Sequence, residues 1–188
     1  MGLIEERIRE SIKTKEDILG DSRLMEQIGM AADMVRNTLG RGGKLLFCGN
    51  GGSASDALHL AAEFVGRFQK DRISLPAISL NADVAAITAI ANDYGYENIF
   101  ARAVEGLMKQ EDVLVAISTS GNSENVYRAV LGAKKTGGKT IAFLGKDGGK
   151  IKDVADVPMV VPSQCTARIQ EAHIMLGHIL CELAEEQM

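Results

Sequence analysis

His59 and Glu63 stand four residues apart in the stretch FCGNGGSASDALHLAAEF, residues 47–64. On a helix that spacing puts both side chains on one face, where an imidazole and a carboxylate can pass a proton or share a metal ion. Leu58, Leu60, Ala61, Ala62 and Phe64 surround them, and a carboxylate in such company is costly to bury unless it is paired or put to use. The plainer alternative is a salt bridge on an exposed helix edge. The remaining histidines, His173 and His178, fall near the C-terminus beside Arg168, Gln170 and Glu171. Glu171 and His178 are seven residues apart and nearly eclipse on a helix, whereas Gln170 lies roughly 80° round from His178 by the ~3.6-residue period. Periodicity alone therefore pairs Glu171 with His178. His173 reads as a packing residue.

Two polar turns accompany these residues. Gly49, Gly51 and Gly52 of the GNGGS turn allow a tight reversal and leave amide N–H groups uncovered, and the start of the following helix offers a seat for an anion such as phosphate. The second turn lies in VLVAISTSGNSENV (113–126), where Ser118, Thr119, Ser120 and Ser123 crowd four hydroxyls between a strand and a helix, with Gly121 and Asn122 making the turn. The hydroxyls could simply cap the helix and solvate the turn. As a group after a buried strand they read instead as a phosphate cradle that works without lysine. Gly49-x-Gly51-x-x-Ala54 also satisfies a loose dinucleotide fingerprint, but the acid that should support it belongs at the end of the second strand. Asp71, at the right spacing, precedes that strand. A nicotinamide or flavin cofactor is not expected.

The elements that must position these groups follow from apolar patterning. Short, nearly continuous apolar runs at 44–48, 76–80, 112–118, 139–144 and 157–161 predict five strands of a parallel sheet covered on both faces. Helical patterns at about 53–65, 83–91, 97–108, 123–136 and 167–185 alternate with them, which predicts a three-layer, doubly wound α/β fold. In such sheets ligands bind beyond the carboxyl ends of the strands, where both polar turns sit. Two further amphipathic helices come first, at 3–19 with Ile4, Ile8, Ile12 and Ile18, and at 22–39 with Leu24, Ile28, Ala31, Val35 and Leu39. They cover the sheet or each other, or the first packs on another subunit. Asn92, Asp93 and Gly95 interrupt the apolar run of AIANDYGYENIF (89–100) and read as a loop, either an ordinary turn or a place where a polar substrate is recognised.

Composition narrows the function classes. The 188 residues, 46% hydrophobic and 24% charged, suit one domain with a full core. Aromatic content of 4% argues against base-stacking platforms, and a net charge of −4 gives no footprint for nucleic acid. An anionic ligand must then be held by local amides and hydroxyls. Three cysteines without CxxC spacing, no secretory signal and no membrane-length apolar run point to the cytoplasm, with no membrane partner.

With these residues in hand, the chain resembles the sugar isomerase (SIS) domain family, through CGNGGSASDALHLAAEFVGRF, LPAISL, AIANDYGYENIFAR, DVLVAISTSGNSENV and TARIQEAHIMLGHILCE, roughly residues 40–182 with the spacing between blocks. The resemblance is to members acting on seven-carbon sugar phosphates. It implies conversion of D-sedoheptulose 7-phosphate to D-glycero-D-manno-heptose 7-phosphate, the first step toward ADP-heptose and cell-surface heptose. It further implies a homotetramer with sites at subunit interfaces, which would give the N-terminal segment 1–40 its partner. By resemblance, Glu63 is the catalytic base and His178 its acid/base partner. His59, Glu63, Gln170 and His178 match a zinc site, one ion per subunit; Asn50, Gly51, Gly52 and Ser53 a first substrate loop; Asn92 and Asp93 a second. Ser118, Thr119, Ser120 and Ser123 match the phosphate cradle. The family thus selects Gln170 where periodicity prefers Glu171. Ala167 departs from relatives that carry an acid there, which touches one substrate hydroxyl contact. Glu63 is asked to be both ligand and base, although a cation weakens a carboxylate as a base. The competing class is a non-catalytic sugar-phosphate sensor or replication-initiator-binding regulator of the same fold, expected to lack the full acid/base and metal set.

Overall fold

The computed structural model describes residues 2–186. Two helices come first, α1 (Leu3–Gly20) and α2 (Ser22–Gly40), then β1 (Leu45–Gly49), α3 (Gly52–Val65), β2 (Ala77–Ser79) and α4 (Val84–Tyr94). A 3₁₀ turn at Tyr96–Asn98 leads into α5 (Ile99–Leu107), followed by β3 (Val113–Ser118), α6 (Glu124–Lys135), β4 (Lys139–Gly145), α7 (Gly149–Lys152), β5 (Val157–Val161) and α8 (Thr166–Glu185). Only Asp21 separates α1 from α2, and its carboxylate accepts the Leu24 N–H at 3.0 Å, capping α2.

The five strands are parallel in the order β2-β1-β3-β4-β5. Leu45, Phe47, Val113, Val115, Ile117, Ile141 and Phe143 face one side, under α2, α3 and α8. Their alternates Leu46, Cys48, Leu114, Ala116, Ala142 and Leu144 face the other, under α5, α6 and α7. Every residue of β1 and β3 is buried, which is why these strands read as unbroken apolar runs rather than alternating ones.

The chain runs outward from β1 to β2 and then returns to the far side of β1 to lay down β3. Between β1 and β3 the winding reverses, so the crevice beyond their carboxyl ends is the expected ligand site of such a sheet. GNGGS follows β1 and STSGNS follows β3. Both polar turns therefore open on the same crevice.

One expectation is corrected. The Ala89–Phe100 stretch is not an open loop, because α4 continues through Asn92 and Asp93 to Tyr94 and stops only at Gly95, with φ 87°. The Asp83 side chain caps the other end, accepting the Ala86 N–H at 2.9 Å, and the intervening run of alanine and isoleucine favours continuation. The four-residue α7 was not foreseen, being too short to show a period. The stripe of α1 is only partly used: Ile18 is buried, whereas Ile4, Ile8 and Ile12 stand at least half exposed. Within the described residues no helix is long and apolar enough to cross a membrane.

Candidate active site

The first turn is held from three directions. Asn81, just past β2, grips Gly49 with both ends of its amide: Oδ1 accepts the Gly49 N–H at 3.2 Å and Nδ2 donates to the Gly49 carbonyl at 2.9 Å. Asn50 and Asn125 exchange reciprocal amide bonds at 2.8 and 2.9 Å, and the Tyr96 hydroxyl donates to Asn50 Oδ1 at 2.9 Å. Gly51 sits at φ 56°, ψ −122°, a conformation that L side chains rarely adopt. The helix then opens at Gly52 with no side-chain cap, and among the described residues the Gly51 and Gly52 N–H groups take no backbone acceptor. Uncapped amides at a helix start are donors free to meet an anion, the feature on which the sequence-based expectation of an anion seat rests.

In the second turn Ser123 occupies the N-cap of α6, yet its side chain makes no capping bond; its hydroxyl pairs instead with that of buried Ser118 at 3.1 Å. Ser120 accepts the Asn122 N–H at 3.1 Å. The capping role that would have explained these serines is therefore not the one Ser123 plays, and the helix entrance stays open to a ligand. Behind the turn α7 acts as a buttress: the Ile151 N–H donates to the Gly121 carbonyl at 3.0 Å, and the Lys150 N–H to Asn122 Oδ1 at 3.2 Å. Gly121 has φ 66°, and a Cβ there would collide with the Gly148 carbonyl.

Helices α3 and α8 bring the titratable residues together. His59 Nε2 lies 2.9 Å from His178 Nε2 and 3.2 Å from Glu63 Oε1. Two glycines set this approach. A Cβ on Gly177 would strike Leu60 of α3, and one on Gly52 would strike the Gln170 side chain of α8. Gln170 thus stands at the entrance of α3, about 12 Å of helix rise before His178. Glu171, which periodicity paired with His178, turns away and bonds Arg168 near α1. His173 lies fully buried against Phe143, its Nε2 2.9 Å from the Leu144 carbonyl; burial pushes its pKa down to about 4, so the neutral ring donates from Nε2 and packs, as expected. Asn92 and Asp93 pair with each other at 2.8 Å on the exposed end of α4 and, among the described residues, bond to neither turn. Tyr96 is the residue of that stretch that reaches the site.

Sequence reading missed several participants. Asp56 lies one turn before His59 on the same face; its Oδ2 is buried without a partner, and burial raises its pKa against the opposing pull of His59 and His178. The i, i+3 spacing to His59 would have shown it. Asn81 and Asn125 carried no local signal, since they act across strands. The Cys181 thiol beneath the site is pushed up to about 12, first by burial, so it stays a thiol rather than a thiolate ligand.

The ligand atoms of His59, Glu63 and His178 all lie within 4.8 Å of one another. Tetrahedral zinc with bonds of about 2.0–2.2 Å requires donor atoms ~3.3 Å apart, and the 2.9 and 3.2 Å separations are of that size. The set fits a zinc ion. A groove of about 660 Å³ lined by Tyr94, Arg102, Arg128 and Lys135 lies between α5 and α6, away from this cluster.

The same fold and sequence pattern recur among known proteins. The family described as SIS domain matches residues 12–145. A phosphoheptose isomerase of Nitratiruptor is 56% identical over 97% of this chain and 97% of its own, and one of Clostridium acetobutylicum is 52% identical over 98% and 94%. The solved phosphoheptose isomerase of Neisseria gonorrhoeae superposes with a TM-score of 0.91 at 43% identity, covering 97% of this chain and 96% of that one.

Proposed function

The chain belongs to the SIS domain (sugar isomerase) family, and from that premise we propose that it isomerises D-sedoheptulose 7-phosphate to D-glycero-D-manno-heptose 7-phosphate. The observation that carries the reading is the convergence of His59, Glu63 and His178 across the α3–α8 contact, in a chain whose two polar turns follow β1 and β3 at the carboxyl ends of the sheet.

A ketose–aldose isomerisation moves a proton between adjacent carbons while the carbonyl moves the opposite way. It needs a base at the carbon, a proton carrier at the oxygens, and stabilisation of an enediol-like intermediate. Glu63, about one-fifth exposed and hydrogen-bonding distance from His59, takes the carbon-bound proton and returns it to the neighbouring carbon. His178 moves protons at the two oxygens. The STSGNS turn holds the phosphate through Ser118, Thr119, Ser120, Ser123 and the first amides of α6. The GNGGS turn, with Asn50 fixed by Asn125 and Tyr96, holds the remainder of the sugar chain. Phosphate at one end and base at the other set which carbon faces Glu63.

His59, Glu63 and His178 would hold zinc; Gln170, expected as a fourth donor, instead stands beside Gly52, about 12 Å of helix rise from His178, where it would meet the sugar held at the GNGGS turn. A bound zinc ion supplies Lewis-acid polarisation of the sugar oxygens. Asn92 and Asp93, exposed on α4, fit a role toward the substrate of a neighbouring subunit. Two observations support a homotetramer. The mostly apolar α4 has no buried residue, and the first half of α1 leaves its isoleucines exposed. The 1–40 segment is then an assembly element, and the enzyme works in the cytoplasm at the head of heptose supply for cell-surface polysaccharide. A regulatory sugar-phosphate binder would have no need of the acid/base and metal set that this chain carries whole.

Glu63→Gln tests the base. The amide is isosteric and cannot accept the proton, so turnover should fall by about 10²–10⁴-fold with circular dichroism unchanged. Activity near that of the unsubstituted enzyme would remove Glu63 from the mechanism.

A further inference from the structure

The segment after α3 is tied to the far end of α8 by an almost completely buried ion pair. Arg72 Nε donates to Glu185 Oε1 at 2.8 Å, and the two side chains are 6% and 2% exposed. Glu185 also accepts the backbone N–H groups of Phe68 at 2.9 Å, Gln69 at 2.9 Å and Lys70 at 3.0 Å. Arg72 in turn donates to the Glu63 carbonyl at 2.8 Å, the Phe64 carbonyl at 2.9 Å and the Ile73 carbonyl at 3.0 Å. It thereby satisfies carbonyls that the end of α3 leaves open. The loop so pinned carries Phe68, whose ring stacks on the His178 imidazole at 5.2 Å between centroids and 23° between planes. On its other edge that imidazole meets His59.

We propose that Glu185, Arg72 and Phe68 are positioning residues for the isomerase site. The Glu185–Arg72 pair fixes the loop, and the loop holds the Phe68 ring as a flat backstop that aims His178 at His59 and Glu63. The inference rests on the reading of His178 as an acid/base group. Its geometry is specific. One carboxylate collects three consecutive amides and one guanidinium, more than is needed to neutralise Arg72. One guanidinium spans from α8 to the carbonyl of Glu63 itself. A rotating imidazole would serve neither proton transfer nor metal binding, and ring orientation is commonly fixed by such outer contacts. Burial alone would raise the Glu185 carboxyl, but the Lys70, Gln69 and Phe68 amides and Arg72 outweigh it and hold it at about 2. The lock is closed at any working pH.

The test uses the full chain with Phe68→Ala, Phe68→Leu, Phe68→Tyr and Glu185→Gln. Three readouts are taken: the ring-proton shifts of His178 by NMR, zinc affinity by competition with a chelator, and kcat and KM separately. A stacked aromatic ring shields the imidazole protons, so Phe68→Ala and Phe68→Leu should move them downfield, and Phe68→Tyr should leave them in place. Zinc affinity and kcat should fall by about 10–100-fold in Ala and Leu, the usual cost of losing an outer-shell partner, while KM changes little and Tyr restores both. Glu185→Gln should act in the same direction and combine non-additively with Phe68→Ala, since both act through one loop. Leu rescuing as well as Tyr would reduce Phe68 to packing and overturn the proposal. So would unmoved His178 resonances in Phe68→Ala, or multiplicative effects in the double variant. Should Glu185→Gln not fold, the Phe68 series decides alone. A parent enzyme inert toward sugar phosphate would sink the functional reading, whereas the NMR and zinc readouts would still judge the lock.

Discussion

His59 and Glu63 were legible because four-residue spacing converts directly into adjacency on one helix. His178 was legible only as one of two histidines in a late helix. What joins it to His59 is the absence of a side chain at Gly177, where α3 and α8 touch, and no local pattern announces a contact 119 residues away. Glu171 shows how periodicity misleads. It lies on the correct face for His178, but Arg168, itself held by Glu10 of α1, claims its carboxylate. His173 illustrates the opposite case, a histidine beside the site with no part in it. Buried and neutral, it binds a proton only near pH 4, whereas in the unfolded chain it does so near 6.5. Between these values the unfolded state holds more protons, so stability should fall as pH is lowered from 6.5 to 4. The contribution is of order 3 kcal/mol at most. Denaturant midpoints measured across that range should slope less in His173→Gln than in the parent, and parallel slopes would refute the assignment.

Among the elements, the strands and most helices were readable because a doubly wound sheet writes its covered strands as apolar runs. The end of α4 was misread because Asn92 and Asp93 are turn formers in isolation. At the C-terminal end of an exposed helix they meet no steric conflict, and it is Gly95 that ends it. The short α7 leaves no period to detect, yet it supports the STSGNS turn, the proposed phosphate cradle, from behind. Gly121→Ala measures that support. The substitution places a Cβ in a left-handed conformation and against the Gly148 carbonyl, so it should destabilise the protein by about 1–3 kcal/mol or more. It should also raise KM by loosening the turn. Unchanged thermal stability together with unchanged KM would mean that the α6–α7 contact does not hold the cradle.

At the scale of the whole molecule, a protein of net charge −4 is proposed to bind a phosphorylated sugar, so recognition must come from helix starts, hydroxyls and amides rather than a basic field. The same scale explains what one chain cannot display. The His59–Glu63–His178 cluster lies on the α3–α8 contact with His59 48% exposed, and among the described residues α1 and α4 carry apolar side chains that stand exposed. The stripe of α1 was visible in the sequence, but its partner was not, because a stripe facing the core and one facing another subunit share one period. Ile8→Glu combined with Ile12→Glu should reduce the light-scattering mass toward the 20.1 kDa of one chain and lower activity with it; a mass still four times that value would show that α1 is not at the interface. The central claim is met most directly by incubating the enzyme with D-sedoheptulose 7-phosphate in deuterated water and following the mixture by NMR. The account predicts appearance of the aldose heptose 7-phosphate, with solvent deuterium entering at the carbon that Glu63 serves. Failure to form the aldose, with zinc supplied and with zinc removed, would contradict it.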